Sequence, residues 1–259
     1  MTALDAAGAT IAGVDGCKVG WIAVMLAPDG IPTARVFATF GALIDSLPDE
    51  AIIAVDMPIG LPDFTHEGGR GPEMLVRRLL GQRQSSVFSI PSRAALYAHT
   101  EAFTTLARWY DGHRLASEAA RATSDPPRGV SIQAYGIFAK IREIDALLIA
   151  RAELRLRVIE SHPEVAFWRL NGEQAMRLPK KVKNIVNPPG MVERQALLVR
   201  LGLPAEFVQA MPPRGAASDD FLDASALLFI AARHARGEAQ PFPDPPGRDG
   251  HGLPMAIWA

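Results

Sequence analysis

The sequence predicts a mixed α/β protein, and three observations carry that expectation. Short β-rich runs joined by tight turns open the chain, a continuous apolar run of the kind covered on both faces follows, and helical patterns fill most of the remainder. With 259 residues, 48% of them apolar, the chain can bury a full core, as a single domain carrying a sizeable insertion.

The elements follow in order. Residues 11–15 and 21–26 are β-rich runs separated by Gly16 and Gly20, and a third run at 33–37 follows the turn Pro28-Asp29-Gly30. Three strands joined by short turns make an antiparallel meander. Residues 40–47 predict a short helix, and the continuous apolar run 51–55 predicts a strand buried on both faces. Beyond Pro58 the character changes: Gly and Pro cluster, and residues 70–93 carry five arginines against one glutamate. A mainly helical inserted lobe is predicted at about 61–153, with helices at 101–122 and 131–153 separated by the breaker Ser124-Asp125-Pro126-Pro127. The sheet resumes at 156–161. A loop at 179–190 holds Lys180, Lys181 and Lys183, and helices are expected at 192–201 and 219–236, the last with Ser218 as its N-cap. The Pro/Gly-rich tail 237–254 reads as an extended wrap.

Composition excludes several classes. The lone Cys17 has no internal disulfide partner, and the N-terminus lacks the pattern of a secretory signal, so a cytoplasmic protein is expected. The longest nearly uncharged apolar stretch, 224–232, is far short of the roughly 20 residues that span a membrane. A formal net charge of −1 gives no whole-molecule field for nucleic acid, so any such contact must be local. Phosphate-loop, dinucleotide, zinc-protease and serine-hydrolase signatures are missing.

Carboxylates end or begin elements at four places: Asp15 after the first strand, Asp56 after the fourth, Glu160 in the resumed sheet, and Asp219, Asp220 and Asp223 opening the last helix. Singly, each fits a turn or a helix start. Together they weigh differently, because Asp220 and Asp223 share a helical stripe with Leu227 and Ile230 and so face the sheet. Carboxylates gathered away from water repel and take up protons unless a cation neutralises them. Oxygen donors without thiolates or paired histidines favour Mg²⁺ or Mn²⁺.

The succession Gly13-Val14-Asp15-Gly16, then 54–60 (AVDMPIG), 158–167 (VIESHPEVAF), 179–184 (PKKVKN) with 193–198 (ERQALL), and 219–231 (DDFLDASALLFIA) resembles an uncharacterised family of predicted ribonuclease H-like nucleases, domain of unknown function 429. The resemblance covers nearly the whole chain. It implies a single ribonuclease H-like domain, a mixed sheet flanked by helices, whose Asp-x-x-Asp helix start is similar to that of RuvC-type resolvases. By this resemblance Asp15, Asp56, Glu160 and Asp223 are the catalytic metal ligands and Asp220 is a fifth; Asp219 reads as a capping residue, the adjacent pair leaving open which of the two is the additional ligand. The implied activity is metal-dependent phosphodiester hydrolysis of DNA or RNA.

Arg70, Arg77, Arg78, Arg83 and Arg93, with Lys180 and Lys181, are candidate phosphate contacts, weighed against ordinary solvated surface. His162 is weighed as a proton-transfer group against a residue that satisfies a turn. Two other function classes fit the same pattern: an actin-like phosphotransferase or ATPase, and a non-catalytic nucleic-acid or protein-binding module. A homo-oligomer is compatible with the sequence but not readable from it.

Overall fold

The computed structural model describes every residue except Met1, Thr2, Ala7, Gly68 and Asn184, so the last residue of the 179–184 motif lies outside the described residues. The chain opens with β1 (Ile11–Cys17), β2 (Gly20–Leu26), β3 (Pro32–Phe37), α1 (Phe40–Asp45) and β4 (Ile52–Val55). Then come β5 (Thr65–His66), α2 (Pro72–Arg77), α3 (Arg93–Tyr97), α4 (Leu106–Ala122), β6 (Ser124–Asp125), α5 (Ile132–Gly136) and α6 (Phe138–Ala150). The final third holds β7 (Val158–Glu160), α7 (Pro163–Leu170), β8 (Lys181–Val182), β9 (Ile185–Val186), α8 (Pro188–Arg200), α9 (Ala205–Val208), α10 (Ser218–Ala235), β10 (Pro241–Arg248) and β11 (Pro254–Trp258).

Five strands form the central sheet in the order β3-β2-β1-β4-β7. The first three pair antiparallel through tight turns, whereas β4 runs parallel to β1 and β7 parallel to β4, after helical crossovers. The sheet is covered on both faces, and the period-2 alternation of each strand divides its residues between two cores. Ala12, Val14, Ile53, Val55 and Val158 face α1 and α6. Ile11, Ile22, Ala54 and Ile159 face α10, α8 and α7. The stretch 61–153 is mainly helical, and its helix α6 supplies Phe138, Ile141 and Ile144 to the first of these cores.

α10 lies directly on β1. A Cβ on Gly13 would stand 2.1 Å from the Ala224 carbonyl oxygen and 2.2 Å from the Leu228 nitrogen, both backbone atoms that cannot swing aside. Gly13→Ala is therefore expected to lower the unfolding free energy measured in urea by an amount at or above the upper end of the roughly 1–3 kcal/mol typical of overpacking.

Several boundaries differ from the sequence reading for local reasons. The helix expected at 131–153 is two helices with a break at Ile137. α8 begins earlier than expected because Pro188 and Pro189 suit a first helical turn. Ser218 is not the N-cap of α10: that position is Ala217, whose N–H is met by the Asp220 carboxylate at 3.0 Å. The tail 237–254 is no simple wrap, because β10 pairs antiparallel with β11 despite its prolines, at an edge where missing N–H donors are tolerated. Among the described residues, no helix is long and apolar enough to cross a membrane.

Candidate functional site

The site grows out of strand register. Val14 of β1 pairs with Val55 of β4 in parallel, so the next residues, Asp15 and Asp56, stand side by side at the C-terminal ends of adjacent strands. The Asp56 N–H donates to the Val14 carbonyl at 2.9 Å and locks this register. Alternation turns both side chains away from the Val14/Val55 core and toward α10. There the second turn of the helix carries Asp223, which is buried like Asp15, while Asp56 is half-buried.

Electrostatics follow from that crowding. Burial, then the Asp56 and Asp223 charges, push the Asp15 carboxyl well above the ordinary aspartate range. Burial also raises Asp56 to about 6, despite the opposing pull of Lys180 and a hydrogen bond with Asp15. Asp223 likewise rises to about 6 through burial, partly offset by Lys180. Three carboxylates cannot all ionise here without a cation, and the Lys180 ammonium is ion-paired with Asp223. Their charges outweigh its own burial and raise its pKa.

The lysine loop is held from below by α8. Glu193 accepts the N–H groups of Arg177 and Leu178 at 3.1 and 2.9 Å. The fully buried Arg194 donates to the carbonyls of Leu178 and Gly190 at 2.9 and 3.0 Å and pairs with Glu164 at 2.6 Å. The sequence pairing of the 179–184 and 193–198 motifs is thus one structural unit, an anchor and the loop it fixes. Lys181 pairs with Asp219 at 2.5 Å.

Capping falls to Asp220 and not to Asp219. Asp220, the expected fifth ligand, supplies the helix cap to Ala217, because the third residue of a helix reaches back to its N-cap. Asp219, the expected cap, is buried instead. Its Oδ1, like Oδ1 of Asp223, has no hydrogen-bond partner among the described residues.

Glu160 lines the same cavity as Asp15 and Asp56 but is held by a different set of partners. It pairs in register with Val55, so alternation points it to the opposite side of the sheet from Asp15 and Asp56. There the buried Arg70 grips it with Nη2 to Oε1 at 2.6 Å and Nη1 to Oε2 at 3.1 Å, and the Ile59 N–H adds a bond of 2.8 Å. Arg70 also binds Glu73 at 2.7 Å and the carbonyls of Ile59 and Gly60, so it clamps the loop that follows Asp56 and is not available for phosphate. Burial raises Glu160 to about 7 even with Arg70 beside it.

Of the other candidate cations, Arg77 binds the Val87 carbonyl and Ser89, and Arg93 pairs with Asp145 and Asp249; both are spent on holding the lobe together. Arg78 is exposed. His162 is the N-cap of α7: Nδ1 accepts the Glu164 N–H at 3.2 Å, and Nε2 faces the Ser86 carbonyl at 3.3 Å. Both bonds suit one neutral tautomer, and burial lowers its pKa, so the turn-satisfying role accounts for it.

A cavity of about 190 Å³ opens beside Asp15 and Asp56 and runs under the lobe to Phe88 and Ile137. Among the described residues, no three His, Cys, Asp or Glu side chains are gathered tightly enough to form a finished metal site. Lys180 already answers one charge of the cluster, and Arg70 holds Glu160. The oxygen-only donors Asp15, Asp56 and Asp223, with a buried unpartnered oxygen on Asp223, nevertheless suit a hard divalent cation.

Fold and site together define a mixed α/β protein with a buried aspartate cluster where the parallel strand ends meet a helix start. Residues 13–248 match the family described as protein of unknown function (DUF429), and the chain belongs to that family. No curated protein and no solved structure matches it.

Proposed function

We propose that the protein is a divalent-metal-dependent phosphodiesterase, a nuclease on a ribonuclease H-like core. The observation that carries this reading is the convergence of Asp15, Asp56 and Asp223 from three separate elements into one buried, mutually repelling cluster. The strand order, an antiparallel meander continued by two parallel strands, supports a ribonuclease H-like core.

In this reading Asp15, Asp56 and Asp223 hold the metal, Mg²⁺ or Mn²⁺, with Asp220 at the edge through its uncapped oxygen. Metal ions so placed supply an activated water and charge neutralisation at the leaving oxygen of a phosphodiester. The chain's own residues do the rest. Arg70 and Glu160 fix the Asp56 loop, α10 presents Asp223, and Lys180, once released from Asp223, is a cation within reach of a phosphate oxygen.

The direct test is turnover of single-stranded, duplex, hybrid and branched DNA and RNA with Mn²⁺, beside an ATP-turnover control. Cleavage that Asp15→Asn abolishes supports the proposal, and ATP turnover alone overturns it. Millimolar Mn²⁺ should also raise the melting temperature above a control of equal ionic strength, because an ion that binds only the folded chain stabilises it.

Lys180 gives a third expected outcome. As the cluster's built-in counter-ion it opposes a bound metal, so Lys180→Met should tighten Mn²⁺ binding by about tenfold, equivalent to about 1.4 kcal/mol. The same variant should lower turnover if the released ammonium serves the phosphate. Calorimetric titration and initial rates on the one variant check both signs.

A further inference from the structure

The cavity beside Asp15 and Asp56 is too small for a double helix and walled in a way that says what part of a substrate it takes. Its volume of about 190 Å³ equals the liquid share of about six waters and lies below the roughly 300–1,000 Å³ of pockets for drug-sized ligands. One ring system fits such a space. A duplex, whose bases are stacked and paired, does not enter it.

The wall chemistry narrows the occupant further. Met57, Val87, Phe88, Ile90, Ile137 and Ile257 supply its apolar lining, beside the carboxylates Asp15, Asp56, Glu73 and Glu160. The polar side chains that also reach it are engaged elsewhere. Arg70 is held by Glu160, Glu73 and two carbonyls. Lys140 donates to the Gly20 carbonyl and lies 4.4 Å over the Trp21 ring. His162 caps α7 with one nitrogen and faces the Ser86 carbonyl with the other. Apart from the carboxylates beside it, the cavity therefore offers an apolar slot with no idle donor aimed inward. Such a slot accepts a flat ring by contact and stacking and does not read its hydrogen-bonding edge.

We infer that this cavity holds one unstacked nucleobase of the substrate, without selecting which base, so that the neighbouring phosphodiester is presented to Asp15 and Asp56. This inference rests on the nuclease reading and names its substrate class: single-stranded ends or extruded nucleotides, not intact duplex. Both sugars are accommodated, since a base-binding slot leaves the ribose outside.

The test is calorimetric titration of the full chain with dAMP, dGMP, dCMP, dTMP and AMP in Mn²⁺, together with cleavage rates on one sequence as single strand and as blunt duplex. The expected result is binding of all five within a few-fold of one another, and cleavage of the single strand at least about tenfold faster than of the duplex. Ile137→Trp, which fills the slot from its lobe side, should weaken all five by about tenfold or more, the scale of losing one base–aromatic stack. Melting curves establish that the variant folds, and if it does not, Phe88→Ala carries the same expectation by removing the ring.

Absence of mononucleotide binding, a strong preference for one base, or unchanged affinity in a folded slot variant each overturns the inference. The two proposals fail separately. Duplex cleavage without mononucleotide binding leaves the nuclease and removes the slot, whereas mononucleotide binding without any cleavage leaves the slot and removes the nuclease.

Discussion

Asp15→Asn is expected to abolish metal-dependent cleavage while making the metal-free protein harder to melt. The loss of turnover should be on the order of 10³-fold, the size seen when one preorganised electrostatic group is removed where charge develops. Stability should move the other way, because the substitution deletes a buried charge that its neighbours oppose and keeps the shape. Asn retains an oxygen for the Gly16 N–H that Asp15 Oδ1 accepts at 2.6 Å. The sign can be checked on Asp56, whose carboxyl rises from 3.8 in its ordinary state to about 6 in the fold. Below about pH 4 the group is protonated whether folded or unfolded, and Asp56→Asn should then melt like the wild type. Between pH 4 and 6 the folded chain binds more protons than the unfolded one, so wild-type stability falls as pH rises, relative to the variant. Above pH 6 the gap is complete. Each pKa unit is worth about 1.4 kcal/mol, and water on the open side of Asp56 reduces the gap to about 1–2 kcal/mol, several degrees in a chain of this size. Saturating Mn²⁺ should shrink the gap, because the wild type gains a ligand that the variant binds poorly. A variant that melts lower than wild type at pH 7 would mean that Asp56 serves the loop and not a cation.

How much of this was legible in the sequence depends on which physical signal each feature uses. The meander, β4 and α10 come from hydrophobic period and length, and those signals are local. Asp15, Asp56 and Asp223 were legible as a cluster because each sits at an element end beside an apolar run. The fate of Glu160 was not. A three-residue strand, Val158–Glu160, is too short to show which of its residues face which core, and a shift of one residue exchanges the two faces. Arg70 was read among the exposed arginines because its partners lie 3, 10, 11 and 90 residues away. Only the longest of these closes the ion pair that buries it. The cap falls to Asp220 and not to Asp219 because adjacent acidic residues at a helix start differ by about 100° of helical rotation, and the helix starts one residue earlier than its sequence signals indicate. The β10–β11 hairpin was hidden by its own prolines, which ordinarily argue against a strand.

Arg70→Met is expected to be the most destabilising single change in the site, and Glu160→Gln in the same chain should restore much of the loss. Arg70 has no solvent-exposed side-chain surface and answers two buried carboxylates, Glu160 and Glu73, while tying down the Ile59 and Gly60 carbonyls. Removing it leaves two like charges buried without the cation that answers them, each keeping only a backbone N–H. Breaking one side of a buried pair commonly costs about 3–5 kcal/mol, far more than the pair's net worth. Glu160 can relieve part of this by protonating, since burial already lifts it to about 7, so the deficit should be smaller at pH 5.5 than at pH 8. In Arg70→Met/Glu160→Gln one of the stranded charges is gone, and the double mutant should be more stable than Arg70→Met alone. The interaction energy of this cycle is then the measure of the pair, because the two groups touch and their effects cannot add. Metal titration of the single variants separates structure from chemistry at this position. If Glu160 is the clamp that its geometry indicates, folded Glu160→Gln binds Mn²⁺ nearly as tightly as the wild type, whereas Asp223→Asn binds it weakly or not at all. Equal loss of Mn²⁺ affinity in both would return Glu160 to the ligand set and would require Arg70 to release it when the ion arrives.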